Sequence, residues 1–178
     1  QGEEEQDTRI LTYQELHRAV CRMANVLKQK GVKHGSTVTL FMPMVPELPI
    51  AMLACARLGA IHSVVFSAFS EEALRSRIAD SRSEVVITAD VSFHGGKIVE
   101  LKSKVDTALL ECPWVNHVLV YNRSKTAGHR TCQMTTGRDS WLEDELGNPS
   151  LSNSCEAEAF AAENPLFILY TRGSTGKP

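Results

Sequence analysis

Apolar positions along the chain follow two rhythms. Leu16, Val20, Met23, Val26 and Leu27 recur at helical spacing behind Thr12-Tyr13-Gln14-Glu15, which has the form of a capping box. Gly31 and Gly35 bracket the exit, so a helix is predicted over residues 13–29. Residues 38–42, VTLFM, form a continuous β-branched and apolar run ended by Pro43, which reads as a buried strand. Pro46 suits a first helical turn; Leu48, Met52, Ala56 and Leu58 carry a second helix, and Gly59 ends it. A strand at 61–66 follows, then a helix at 71–80 with Ser70 as N-cap and acids in its first turn, then a strand at 85–88. Gly95-Gly96 predicts the opening of a fourth helix over 97–110, before a strand at 115–121. Residues 122–136 are polar and aperiodic, a loop with room for a hairpin. A helical turn at 141–146, a connector at 147–162 and a last strand at 166–170 complete the pass.

Helices alternating with short, near-continuous apolar strands predict an α/β fold with a mostly parallel sheet flanked by helices. In such sheets ligands gather beyond the carboxyl ends of the strands. Composition changes little in this picture. The 178 residues are 43% hydrophobic and 22% charged, with a net charge of −2. That balance gives no reason to expect a nucleic-acid or membrane partner, and no stretch approaches the ~18 unbroken apolar residues of a membrane helix. The five cysteines (Cys21, Cys55, Cys112, Cys132 and Cys155) are scattered without zinc spacing, as expected of reduced thiols inside a cell. Cys21 and Cys55 sit among apolar helical neighbours and read as small buried hydrophobes.

The chemistry concentrates at the end of the chain. A predicted strand runs into Thr171-Arg172-Gly173-Ser174-Thr175-Gly176-Lys177-Pro178. Gly173 and Gly176 permit a tight turn and close backbone approach. Successive N–H groups, the Ser174 and Thr175 hydroxyls and the Lys177 ammonium are then phosphate donors. A P-loop is excluded: Thr171 stands where its first glycine belongs, and Pro178 where its magnesium-binding hydroxyl belongs. A plain flexible turn is the alternative on chemistry alone.

ILYTRGSTGKP resembles the phosphate-loop signature T-S-G-[ST]-T-G-x-P-K-G of the adenylate-forming acyl-CoA synthetases. MPMVPELPIAMLACARLGAIHSVVF, VVITAD, GGKIVELKSKVDTAL and NPLFILYT resemble the acetyl-CoA synthetases in particular, in the same order from about residue 8 to 178. The resemblance implies part of the large N-terminal domain of an adenylate-forming enzyme. It also implies an AMP-forming acetate–CoA ligase, with acetate, ATP, Mg2+ and coenzyme A as its small molecules. Thr171, Gly173, Ser174, Thr175, Gly176 and Lys177 would hold the ATP phosphates. The family's R-G-G-[KR] stretch, which meets the nucleotide end of coenzyme A, maps onto His94, Gly95, Gly96 and Lys97, and Ala68 falls where backbone approaches the same ligand. Read without the resemblance, residues 93–97 are a helix start with glycines before it, its basic group suited to a phosphorylated ligand.

Three departures stand out. His94 replaces the usual arginine, with Lys97 keeping a positive charge. Ser67-Ala68 replaces a Gly-Gly pair; Ala68 either narrows the approach to coenzyme A or is harmless drift. Arg172 stands where the family has a serine, and a long cation in a loop built for small residues predicts impaired phosphate geometry. Arg172→Ser is therefore expected to raise the rate of acyl-CoA formation in the full-length protein; an unchanged rate refutes this.

The resemblance covers about a quarter of a synthetase, an incomplete N-terminal adenylation domain at 1–178 without the C-terminal domain, the magnesium-binding acid or the acyl pocket. The isolated chain is expected not to turn over. Propionyl-CoA synthetase and a non-catalytic truncated product are the alternatives. Cytoplasm is the expected compartment, with the mitochondrial matrix as the alternative. Of the remaining residues, His62 reads as a structural hydrogen-bonder, Trp114 and Trp141 as packing residues, and Met42 and Met44 as core.

Overall fold

The computed structural model describes residues 8–95, 97–124 and 132–171. Its elements in chain order are α1 (Tyr13–Gln29), β1 (Thr37–Phe41), α2 (Glu47–Arg57), β2 (Ile61–Val64), α3 (Glu71–Ser81), β3 (Val85–Ala89), β4 (Val91–His94), β5 (Lys97–Glu100), α4 (Leu101–Leu109), β6 (His117–Tyr121), β7 (Asp139–Trp141), α5 (Leu142–Gly147) and β8 (Phe167–Ile168). Among the described residues none of the helices is long and apolar enough to cross a membrane.

Six strands form one sheet in the order β7-β6-β3-β1-β2-β8, and every pairing in it is parallel. Alternation along each strand divides the core. Val38, Leu40, Val85, Ile87 and Leu119 face a cluster with α1, α2 and α5. Phe41, Val86, Ala89, Val118 and Val120 face a second cluster with α3 and α4. Burial on both faces is why these strands read as unbroken apolar runs. From β1 the chain steps to β2 on one side and returns to β3 on the other. The strand order therefore reverses at β1, where open α/β sheets leave a crevice at their carboxyl edge.

The local signals at the first and third helices hold in detail. The Thr12 hydroxyl accepts from the Glu15 N–H at 3.2 Å, and the Glu15 carboxylate accepts from the Thr12 N–H at 2.8 Å. Ser70 accepts from the Ala73 N–H at 3.3 Å. Cys21 and Cys55 are buried as expected.

Other expectations need correction. Residues 97–100 do not open a helix. They form β5, antiparallel to β4, with His94 opposite Lys97 and Val91 opposite Glu100. Gly95, which follows β4, takes a positive φ of 56°, the backbone that glycine supplies in tight hairpin turns. Helix α4 starts only at Leu101, where the main-chain carbonyl of Asp90 accepts the N–H groups of Leu101 (3.0 Å) and Lys102 (3.3 Å). The last strand shrinks to Phe167–Ile168, because it meets only His62 and Ser63 of β2. β7, absent from the sequence reading, adds a parallel edge to β6. Met44 is 67% exposed rather than core. His62 is buried, but its Nδ1 has no hydrogen-bond partner among the described residues; its ring instead tilts against Phe167, 5.8 Å between centroids.

Candidate functional site

The loops leaving β1, β2 and β3 converge at the carboxyl edge of the sheet. Between them lies a cleft of about 420 Å3, lined by Met44 after β1, by Phe66, Ser67 and Ala68 after β2, by Ser92, Phe93, His94 and Gly95 of the β4–β5 hairpin, and by Val99 and Lys104. Three residues singled out from sequence, Ala68, His94 and Gly95, meet here although up to 27 positions separate them. The hairpin is what brings them together: it folds residues 91–100 back over the sheet edge rather than leading away as a helix. Lys97 stands opposite His94 in the ladder but does not line the cleft, and Gly96 lies outside the described residues.

The walls of the cleft are largely aromatic and apolar, and no acidic side chain lines it among the described residues. Phe66 is 55% exposed and meets Phe69 edge to face, with centroids 5.9 Å apart. On the opposite side, the Arg123 guanidinium lies 5.2 Å above the Phe93 ring. Lys104, on α4, donates from Nζ to the Phe69 carbonyl at 3.1 Å. A lining of this kind suits a planar base against the rings and an anionic group near the lysine and histidine. Sequence reasoning missed Phe66 and Lys104. Both lie inside stretches quoted for the resemblance, but neither is marked there by a spacing or residue type of its own, and only the packing of α3 and α4 side by side puts the lysine beside the β2 loop.

The other predicted site begins at Thr171, which is exposed. Gly173, Ser174, Thr175, Gly176 and Lys177, with Arg172, lie outside the described residues. The residue before Thr171 is firmly tied. The Tyr170 hydroxyl donates to Asp80 Oδ2 at 2.6 Å, and the Arg77 guanidinium sits between the rings of Tyr170 (5.1 Å) and Phe69 (4.7 Å). Burial, and the bond to the Asp80 carboxylate, push the Tyr170 hydroxyl well above the usual tyrosine range. Tyr170, Arg77, Phe69 and Phe66 thus form a continuous line of contacts from the root of the predicted phosphate loop to the wall of the cleft. Among the described residues no group of three or more His, Cys, Asp or Glu side chains could hold a metal ion.

Comparison with known proteins gives concordant matches. The family model described as AMP-binding enzyme matches residues 4–178. A protein of Bdellovibrio bacteriovorus named acetyl-coenzyme A synthetase is 52% identical over 171 residues, covering 96% of this chain and 26% of the relative. Acetyl-coenzyme A synthetase 2 of Pseudomonas putida is 51% identical over 178 residues, covering 100% of this chain and 27% of the relative. The same-named protein of Pseudomonas aeruginosa is 49% identical over 178 residues. The chain therefore spans about a quarter of the length of the curated relatives it matches.

Proposed function

Since the chain belongs to the AMP-binding enzyme family, we propose that it contributes part of the adenylation domain of an AMP-forming acetate–CoA ligase. The observation that carries this reading is its identity of about one half, over nearly the whole chain, to proteins named acetyl-coenzyme A synthetase. The cleft at the sheet's carboxyl edge supports it.

In the proposed reaction an acetate oxygen attacks the α-phosphorus of ATP and pyrophosphate leaves. The thiol of coenzyme A then attacks the acetyl carbon, and AMP leaves. Negative charge shifts among phosphoryl oxygens in the first step, so placed donors and cations lower its barrier. Thr171, Gly173, Ser174, Thr175, Gly176 and Lys177 are proposed to meet the β- and γ-phosphates. His94, Gly95, Gly96, Lys97 and Ala68 are proposed to receive the nucleotide end of coenzyme A, which Phe66 and Phe93 would flank. Mg2+ bound to ATP would neutralise phosphate charge, and we assign it no residue of this chain. We take the cytoplasm as the compartment; the relatives compared are bacterial.

The test is made on the full-length protein. Acetate-dependent exchange of labelled pyrophosphate into ATP and CoA-dependent formation of acetyl-CoA are expected together. Propionate turning over with a higher kcat/KM than acetate would move the reading to the propionyl enzyme. Absence of exchange with any short carboxylate would support a non-catalytic product.

A further inference from the structure

Resting on the reading that Thr171 and the residues after it meet the ATP phosphates, we infer that Tyr170 is a positioning residue for the first half of the reaction: its hydroxyl bond to Asp80 fixes the point at which the phosphate loop leaves the sheet. The pairing of β8 with β2 ends where Ile168 meets Ser63. Past that point Leu169 is 66% exposed and Thr171 is exposed. The ladder therefore does not hold the last residues before the loop. The side chain of Tyr170 holds them instead, and it does so from α3. Its hydroxyl donates to Asp80 Oδ2 at 2.6 Å, and the Arg77 carbonyl lies 3.4 Å from the same hydroxyl. The Arg77 guanidinium packs against its ring at 5.1 Å.

The anchor is itself fixed. Arg77 is buried and donates from Nη1 to the Ala73 carbonyl at 2.9 Å. Arg77 and Asp80 are three positions apart on α3, so they share one face of it. That helix is capped by Ser70 and seats Leu74 and Ile78 in the core. Asp80 is exposed, so water can replace the tyrosine on its carboxylate and loss of the bond leaves the fold in place. Placement is the larger stake. One peptide bond separates Tyr170 from Thr171, and misplacing a reacting group by about 1 Å can cost ~100-fold in rate. The β- and γ-phosphates take part only while acetate attacks ATP and pyrophosphate leaves. When the thiol of coenzyme A attacks acetyl-adenylate they are already gone, so the anchor acts on the first half alone.

The experiment measures two rates in each preparation of the full-length protein, unmodified and as Tyr170→Phe, Asp80→Ala and Asp80→Asn. One is acetate-dependent exchange of labelled pyrophosphate into ATP; the other is acetyl-CoA formation from supplied acetyl-adenylate and coenzyme A. Phenylalanine keeps the ring against Arg77 and removes the hydroxyl. Tyr170→Phe and Asp80→Ala should each slow exchange about tenfold and leave the second rate unchanged. Asp80→Asn keeps an acceptor and should retain most of the exchange. Tyr170→Phe combined with Asp80→Ala should be no slower than either alone, since both remove the same bond. The ratio of the two rates is internal to each preparation, so loss of folded protein cancels from it. If both rates fall in the same proportion, Tyr170 is structural only and the inference fails. If exchange is unchanged in Tyr170→Phe, the bond does not place the loop and the inference fails as well, while the reading of the loop stands. If the unmodified protein shows no acetate-dependent exchange, the reading of the loop falls and takes the inference with it.

Discussion

Asp139→Leu is expected to destabilise the protein by about 3–5 kcal/mol, the range for removing one partner of a buried ion pair. Its carboxylate is fully buried at the start of β7. It accepts from Lys102 Nζ at 2.8 Å, from Arg138 Nε at 2.5 Å and from the Thr135 N–H at 2.8 Å. Lys102 is itself only 1% exposed, so losing Asp139 leaves a buried ammonium on Asp106 and the Gln133 carbonyl. The reciprocal change, Lys102→Met, is expected to cost less. Arg138 would still neutralise Asp139, and would still reach Asp106 at 2.6 Å. Lys102→Met combined with Asp139→Leu should be milder than the sum, since a well-packed apolar pair can replace a buried ionic one at little cost. Urea unfolding of the three variants measures all of this; equal costs for both single changes would refute the asymmetry.

The same carboxylate carries a pH dependence. Burial alone would raise the Asp139 carboxyl, but hydrogen bonds from Arg138, Lys102 and the Thr135 N–H outweigh it and hold the group below the usual carboxylate range. The folded form therefore binds this proton less readily than the unfolded form. Its contribution is complete above the ordinary aspartate value near ~4 and is lost as pH falls from there through the lowered folded value. Unfolding midpoints measured between neutral and strongly acidic pH should show a steeper acid loss in the unmodified protein than in Asp139→Leu.

Gly59→Ala is expected to cost about 3 kcal/mol, and Gly31→Ala about 1 kcal/mol, although both glycines end helices in the same way. Behind α2, the Ala60 N–H bonds the Cys55 carbonyl (2.9 Å) and the Gly59 N–H the Ala56 carbonyl (3.2 Å). Behind α1, the Val32 N–H bonds the Leu27 carbonyl (3.0 Å) and the Gly31 N–H the Lys28 carbonyl (3.0 Å). Each pair is the Schellman arrangement, which puts the glycine at positive φ, here 65° at Gly59 and 84° at Gly31. What differs is the space. A Cβ on Gly31 would meet nothing within 4 Å, whereas one on Gly59 would stand 2.4 Å from Phe160 Cζ and 2.6 Å from His34 Cδ2. Those rings are stacked on each other, 4.9 Å apart and 4° from parallel, with His34 Nε2 bonded to Asn164 at 2.7 Å. An added methyl must therefore push the ring of Phe160, in the connector that follows α5, and the ring of His34 out of place as well as strain the backbone. Thermal unfolding of the two alanine variants side by side checks it; equal shifts would show that the rings yield freely.

That connector marks where reading the sequence stopped. Residues 148–162 show no period because they form no element. They nevertheless tie to α1 and α2 through long-range polar contacts: Asn25 Nδ2 donates to the Ser152 and Ser154 carbonyls at 3.0 and 2.9 Å, and Arg57 Nε to the Cys155 carbonyl at 2.5 Å. No local pattern encodes a bond between side chain and backbone across 98 or more positions. Arg82 is a similar case: it ends α3 at a φ of 52°, a conformation its residue type does not announce.

The sequence by itself determined whatever depends on neighbours a few residues apart. The 3.6 period and capping box located α1, the apolar runs located β1, β2, β3 and β6, and Gly59 marked the end of α2, because these signals are set by local sterics and by hydrogen bonds within one turn. The order GGKIVELK gave a wrong element, since Gly-Gly serves a helix boundary and a hairpin equally well and only the pairing of β4 with β5 decides between them. The cleft was out of reach for the same reason. His94 and Ala68 could be named from the chain, but their meeting, and the arrival of Lys104 and Phe66 beside them, required α3, α4 and the hairpin to pack at one edge of the sheet. Contacts of that kind are chosen by the burial of whole surfaces, and tertiary structure alone decided them.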